Sequence, residues 1–141
     1  MRDGRKQTAQ ELAREASSAM QASNYAVAKE LMLEAVSLRP DVVEYQVGVA
    51  MAALEQQEPE TARAHWELAL VLIAPQSDVD PEKVDDHVMI LVALGREAEA
   101  RSLIQDAYQK FSDSEAMQAL YLNREEFITG LKESLRCPER R

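Results

Sequence analysis

The sequence has few of the residues that shape β-rich, disulfide-bonded or membrane-spanning proteins. Its 141 residues include one cysteine, Cys137, so an intrachain disulfide and a cysteine-based zinc site are both excluded. Four glycines and five prolines supply too few turns for a β-sandwich or a β-barrel. The longest apolar stretch, from Leu68 to Pro75, is far too short to cross a bilayer. These absences, together with abundant Ala, Leu and Glu, predict an all-α protein.

A basic excess is also lacking. Sixteen Lys and Arg stand against 25 Asp and Glu, which gives a formal net charge of −9 at pH 7. We therefore expect no nucleic-acid partner, because binding to phosphates needs a basic surface. Both ends are slightly basic but carry no Lys/Arg run, so residues 1–8 and 137–141 are interpreted as solvated tails. No apolar segment follows the basic start as in a secretion signal, so we expect a cytoplasmic protein or a soluble domain of a larger one, without a membrane partner.

The sequence does contain regular signals for helix starts and enough apolar residues, 46%, for a core. Seven or eight helices are predicted from caps and apolar periodicity. The start signals are a set of capping residues and N-terminal prolines: Thr8 with Glu11, Asp41 with Glu44, Pro59, Asp80 with Pro81, Ser112 with Glu115, and Asn123 with Glu126. The helix that begins at Pro59 is expected to end near Ala74, with a loop from there to Asp80.

Small and large apolar residues recur at a fixed interval along the chain. The first interval is 34 residues in every column and the second is 38, with the four extra residues expected in the loop before Asp80. The columns are Ala28/Ala62/Ala100, Ala35/Ala69/Ala107, Met32/Trp66/Ile104, Ala16/Ala50/Val88 and Ala19/Ala53/Leu91. Small residues recur where two helices must approach closely, so the pattern predicts repeated helical hairpins.

The sequence pattern of these hairpins resembles that of the tetratricopeptide repeat family. The resemblance is carried by Asn24-Tyr25-Ala26-Val27-Ala28, by Arg39-Pro40, and by a central turn at Gly95-Arg96-Glu97-Ala98-Glu99-Ala100. It covers residues 9–111 as three repeats, 9–40, 41–75 and 80–111. It implies a right-handed solenoid of three hairpins, with C-terminal capping helices over 112–136. A fourth, degenerate repeat is the alternative for that last segment. The family's first-helix tryptophan is replaced by Leu12, Gln46 and Val84.

The resemblance also implies a concave face lined by the first helix of each hairpin. Apolar and acidic residues fall on that face: Met20, Val47, Met51, Leu54, Met89 and Val92, with Glu44, Glu55 and Asp85 at the rim. Methionine is unbranched and adaptable, and an acidic rim favours a basic partner. The alternative is that these residues are ordinary core. Cations that would clamp a partner's C-terminal carboxylate are missing, since Gly48, Glu82 and Asp86 stand among those positions.

We therefore predict a non-enzymatic protein–protein interaction module that binds an extended or amphipathic helical segment of another protein. A homo-oligomerisation module and a small secretion-type chaperone are the alternatives. No cofactor is expected, because the glycines are isolated and form no phosphate loop. No metal is expected either, because His65 and His87 have no second histidine one turn away and Asp78, Asp80 and Glu82 lack the turn glycine of a calcium loop.

Overall fold

A computed structural model of the chain describes residues 7–135, and every regular element in that range is helical. There are eight α-helices and one short 3-10 helix, and no strand occurs in the described range. The helices are α1 (Ala9–Gln21), α2 (Tyr25–Leu38), α3 (Val43–Glu55), α4 (Pro59–Val79), the 3-10 helix (Pro81–Lys83), α5 (Val84–Ala93), α6 (Glu97–Lys110), α7 (Glu115–Leu122) and α8 (Arg124–Leu135). The all-α class is confirmed. Residues 1–6 of the predicted N-terminal tail and the whole predicted C-terminal tail, which includes Cys137, lie outside the described residues.

The turns after α1, α3 and α5 share one backbone conformation. Ser23, Gln57 and Gly95 have positive φ values of 60°, 59° and 78°. In each turn, this residue's N–H donates to the carbonyl three residues back, and the next N–H donates to the carbonyl five residues back. This is the Schellman arrangement, which satisfies carbonyls left free at a helix end. The three residues stand 34 and 38 positions apart, so the sequence interval recurs in the backbone geometry.

The repeated columns are largely core. Ala28, Ala62 and Ala100 are fully buried, and so are Trp66 and Ile104. Alanine at these positions brings helix backbones close together, while the larger side chains fill the space that remains. Ala19 is the one member of the columns that keeps partial exposure.

The chain divides into two compact units, residues 1–65 and 66–141, and α4 contributes to both. In the first unit, α2 packs against α1 and α3. Ala16, Met32 and Val49, one from each of these helices, form its buried cluster. Gly48 lets α2 approach α3, because a Cβ at that position would lie 2.7 Å from the Met32 Cε. The predicted capping box of α1 is confirmed, with Thr8 Oγ1 accepting from the Glu11 N–H at 3.0 Å and Glu11 Oε1 accepting from the Thr8 N–H at 2.8 Å.

In the second unit, α5 packs against α6 and α8, and α7 packs against α6 and the 3-10 helix. Val88, Ile104, Met117 and Ile128 belong to one buried cluster drawn from these four α-helices. The rings of Tyr108 and Tyr121 stack with centroids 4.1 Å apart. Two ion pairs also join α6 to α8, Arg101–Glu125 and Lys132–Glu97, each at 2.9 Å. The helices of the 112–136 segment are thus held on α5 and α6 by both apolar and charged contacts.

Two predicted helix starts use different residues. Asp41 does not cap α3, whose N-cap is Val42; the Asp41 carboxylate instead accepts two hydrogen bonds from Arg39, each at 3.0 Å. An arginine two residues away satisfies both carboxylate oxygens, which removes the side chain from capping. Ser112 does not cap α7 either; Ser114 does, accepting from the Met117 N–H at 3.2 Å.

The predicted loop between Ala74 and Asp80 is wrong. Helix α4 continues through Pro75 and ends at Val79. Proline removes the N–H that would donate to the Val71 carbonyl. Val71 and Pro75 are both exposed, so water can take the place of that bond and the helix continues. The four extra residues therefore lengthen a helix, and the 3-10 helix begins immediately after it.

Candidate functional site

Three of the predicted apolar contacts of the first unit lie on one face of α3, spaced by three or four residues. Val47, Met51 and Leu54 are each partly exposed. Glu44 and Glu55 at the two ends of this face are exposed. We call these five residues the α3 face. The opposite side of the same helix supplies the buried Val49 and Ala53, so Met51 and Leu54 keep partial exposure although the core side of the helix is filled. Met20 on α1 is also partly exposed.

The equivalent residues of α5 are divided between the surface and the core. Asp85 is exposed and Met89 partly exposed. Val92 is only 4% exposed and belongs to the buried cluster with Ile128 of α8. Val92 is thus a core residue, as in the alternative interpretation of the predicted contact residues, while Asp85 and Met89 remain available at the surface.

Asp85 also lines a cavity of about 360 Å³ that the sequence did not predict. We call it the cap cavity. The 3-10 helix and α5 contribute its acidic wall, and α7 and α8 contribute an apolar floor. Its lining residues are Pro81, Glu82, Asp85, Ala116, Ala119, Leu120, Asn123 and Phe127. Leu120 and Phe127 lie on the helices of the predicted capping segment, and their proximity to Asp85 depends on long-range packing.

A wider cavity of about 600 Å³ lies elsewhere in the second unit. Leu70, Leu91 and Leu103 are among its apolar lining residues, and His87 and Arg96 also line it. The Arg96 guanidinium is already paired with Glu99, at 2.5 and 2.7 Å, and this hydrogen-bonded pair lowers the pKa of Glu99. The Arg96 cation that lines this cavity is therefore already in an ion pair.

Both histidines are partly buried and each is hydrogen-bonded to a neighbouring polar side chain. His65 Nδ1 lies 2.8 Å from Gln46 Oε1, while the Gln46 amide donates to the Pro40 carbonyl at 3.1 Å. Because an amide oxygen can only accept, Nδ1 of His65 carries the proton. Burial lowers the pKa of His65. Gln46 thus forms a buried hydrogen-bond network in which both its amide oxygen and its amide nitrogen have partners.

His87 has a hydroxyl partner. Its Nδ1 lies 2.6 Å from the Oγ of Ser77, whose side chain is 3% exposed. Burial, and secondarily the charge of Arg96, lower the pKa of His87. Within residues 7–135, no cluster of three or more His, Cys, Asp or Glu side chains could hold a metal ion. The acidic residues of the possible calcium loop have other partners. Asp78 forms an ion pair with Lys110 at 3.0 Å, and the Asp80 carboxylate accepts a hydrogen bond from the Glu82 N–H at 3.0 Å.

The chain was compared with known proteins, and it matches no family model and no curated protein. No helix in the described range is long and apolar enough to cross a membrane. The features of the chain that bear on its function are therefore the α3 face, the cap cavity and the repeated turns.

Proposed function

We propose that the chain is a non-enzymatic protein–protein interaction module of the tetratricopeptide repeat type. The recurrence of one Schellman turn at Ser23, Gln57 and Gly95, at the intervals of the sequence repeat, supports the family assignment. Helical hairpins of this kind stack in the family as a right-handed solenoid, and binding proteins is the usual role of such repeats.

The observation that carries the functional proposal is the α3 face. Its three apolar side chains remain partly exposed over a filled core, and glutamates stand at both of its ends. An amphipathic or extended segment would place apolar side chains against Val47, Met51 and Leu54. Basic residues of that segment would be attracted by Glu44 and Glu55. Met20 on α1 and, within the second unit, Asp85 and Met89 on α5 are residues of the same kind that keep exposure.

A random-peptide display selection on the immobilised chain tests this function. We expect enrichment of peptides that combine Leu, Ile, Met or Phe with Lys or Arg. The Met51→Glu, Leu54→Glu double variant should lose this binding, because two carboxylates would lose water against the apolar side chains of the peptide. The matched control is Leu33→Glu, Leu38→Glu, which places the same charges on exposed positions of α2.

Circular dichroism must show that both double variants keep the helicity of the parent. Enrichment of acidic peptides would contradict the proposal. Equal retention of the selected peptides by the two variants would also contradict it, since binding would then not depend on the α3 face.

Self-association is a second candidate function, favoured by an exposed stripe on α4. Leu68, Val71 and Val79 are 48%, 72% and 76% exposed, and they follow one another at near-helical spacing on one side of the helix. Light scattering at several concentrations tests it. A mass that rises above 15.8 kDa with concentration and falls again in Val71→Asp would support it. A strict monomer would remove it.

A further inference from the structure

We propose that the cap cavity is a subsite for a single Lys or Arg side chain of a partner protein. This inference rests on the proposed function and adds to it the residue type that the second unit selects. The cap cavity has a volume of about 360 Å³, near the lower end of the range for sites that enclose small ligands, and this size suits one long side chain.

Local hydrogen bonds fix the Asp85 carboxylate and the backbone that carries Glu82. The Asp80 side chain accepts from the Glu82 N–H at 3.0 Å and so fixes the start of the 3-10 helix that carries Glu82. Asp85 lies in the first turn of α5, where its Oδ1 accepts from the Asp86 N–H at 2.9 Å. One oxygen of Asp85 thus has a backbone partner, and Oδ2 remains for an incoming donor.

Some acidic side chains of the second unit are already paired with a basic side chain, whereas the two that line the cap cavity are not. Asp78, Glu97 and Glu125 in the same unit each pair with a Lys or Arg. Glu82 and Asp85 have no ion-pair partner among residues 7–135, and no described Lys or Arg lines the cavity. Two negative charges therefore face a concave site without a compensating cation, which selects a cationic occupant.

The floor of the cavity fits the remainder of a basic side chain. Leu120 and Phe127 are partly buried apolar side chains that pack on the core of the second unit and also line the cavity. Lys and Arg bury their methylene stems on such surfaces while the charged head stays near water. A cation close to the ring of Phe127 gains additional attraction from the ring face. An aliphatic occupant would contact the same floor but would leave both carboxylates unpaired.

Three blocked pentapeptides, Ala-Leu-X-Leu-Ala with Arg, Gln or Glu at the centre, test the subsite on the full chain. Binding is followed by ¹H–¹⁵N chemical shifts. We expect the Arg peptide to shift the amides of Asp85, Leu120 and Phe127 and to bind about tenfold more tightly than the Gln peptide, from two exposed ion pairs and one cation–ring contact. The Glu peptide should bind least, and the preference for Arg should weaken as salt is added.

Two variants and one control give this test its specificity. Glu82→Gln, Asp85→Asn should remove the preference for Arg over Gln while leaving the Gln peptide unaffected. Ala119→Leu, at an exposed lining position, should weaken all peptides by filling the cavity. Asp113→Asn, Glu133→Gln removes two exposed carboxylates of the same unit that do not line the cavity, and it should behave as the parent chain.

Equal affinity for the Arg and Gln peptides would overturn the inference, and so would an Arg preference that survives Glu82→Gln, Asp85→Asn. Shifts that are confined to residues 7–65 would also overturn it. Failure of the subsite is distinguishable from failure of the proposed function, because the display selection reads the α3 face in the first unit. A selection that still depends on Met51 and Leu54 would leave the interaction function standing without this subsite.

Discussion

The two units share a turn and differ in the surface of the helix that precedes it. Ser23 and Gln57 in the first unit adopt the same left-handed backbone as Gly95 in the second. At equivalent positions, however, Leu54 is partly exposed and Val92 is buried, because α8 packs on α5 in the second unit. The second unit also has the 3-10 helix and the cavity beside it. Shared geometry therefore marks the scaffold, and the positions where the units diverge are the places to look for specificity.

The largest expected effect tests whether the shared columns are scaffold. Ile104→Ala should lower the free energy of unfolding by about 2–5 kcal/mol, because it leaves a cavity in the buried cluster of the second unit. Met32→Ala at the equivalent position should cost less, since Met32 is 8% exposed and Ile104 is fully buried. Urea titration followed by circular dichroism measures both. Val71→Ala, at a position 72% exposed, is the surface control, and a cost for Ile104→Ala no larger than for this control would contradict the scaffold role.

The shared scaffold was accessible from the sequence, because close helix contacts need small residues at regular intervals and Ala28, Ala62 and Ala100 supply them. The family resemblance stays a proposal. Two local predictions from the sequence were wrong. Asp41 does not cap α3, because its carboxylate accepts hydrogen bonds from Arg39 instead. Pro75 does not end α4, because it lies at an exposed position where water can replace the missing backbone hydrogen bond.

The candidate site could be predicted only in part, for a related reason. Helical spacing is enough to place Val47, Met51 and Leu54 on one face of α3. The cap cavity instead joins Glu82 to Phe127, which lies far along the chain, and spacing within one helix carries no information on that contact. The burial of Val92 depends on the same long-range packing of α8.

Two glycines should respond in opposite directions to the same substitution, which sharpens the contrast between the units. Gly48→Ala in the first unit adds a Cβ within 3 Å of three atoms of Met32, an overpacking that costs typically about 1–3 kcal/mol. The gain in helix propensity, about 1 kcal/mol, offsets part of that cost. Gly130→Ala, at an exposed position of α8, adds a Cβ that meets nothing within 4 Å. It should raise the free energy of unfolding by up to about 1 kcal/mol.

Thermal unfolding measures the sign of each change. The Met32→Ala background supplies the control, because removing the Met32 side chain should convert Gly48→Ala from destabilising to neutral or stabilising. A destabilisation by Gly48→Ala that persists in this background would show that the close approach of Met32 is not its cause.

A smaller effect tests the equivalence of the turns. Gly95→Ala should destabilise by about 1 kcal/mol, because an L side chain at φ 78° is strained. Ser23→Gly and Gln57→Gly should each relieve strain of similar origin, reduced by the greater freedom of glycine in the unfolded chain. The midpoints of chemical unfolding give all three values. Destabilisation of the same size by Ser23→Gly would indicate that the turns of the two units are not equivalent.

The smallest expected effect is a pH dependence that separates the two histidines. Burial lowers the folded-state pKa of both His65 and His87, so the unfolded chain binds protons more readily than the folded chain. Their contribution to stability is therefore present above the ordinary pKa of 6.5 and is lost as the pH falls below it, through the folded-state pKa. Unfolding midpoints should fall between about pH 7 and pH 5.5, and His65→Gln or His87→Gln should flatten that slope. Each variant should remove the share of the slope that belongs to its own histidine. A slope that neither variant changes would assign the pH dependence to other groups.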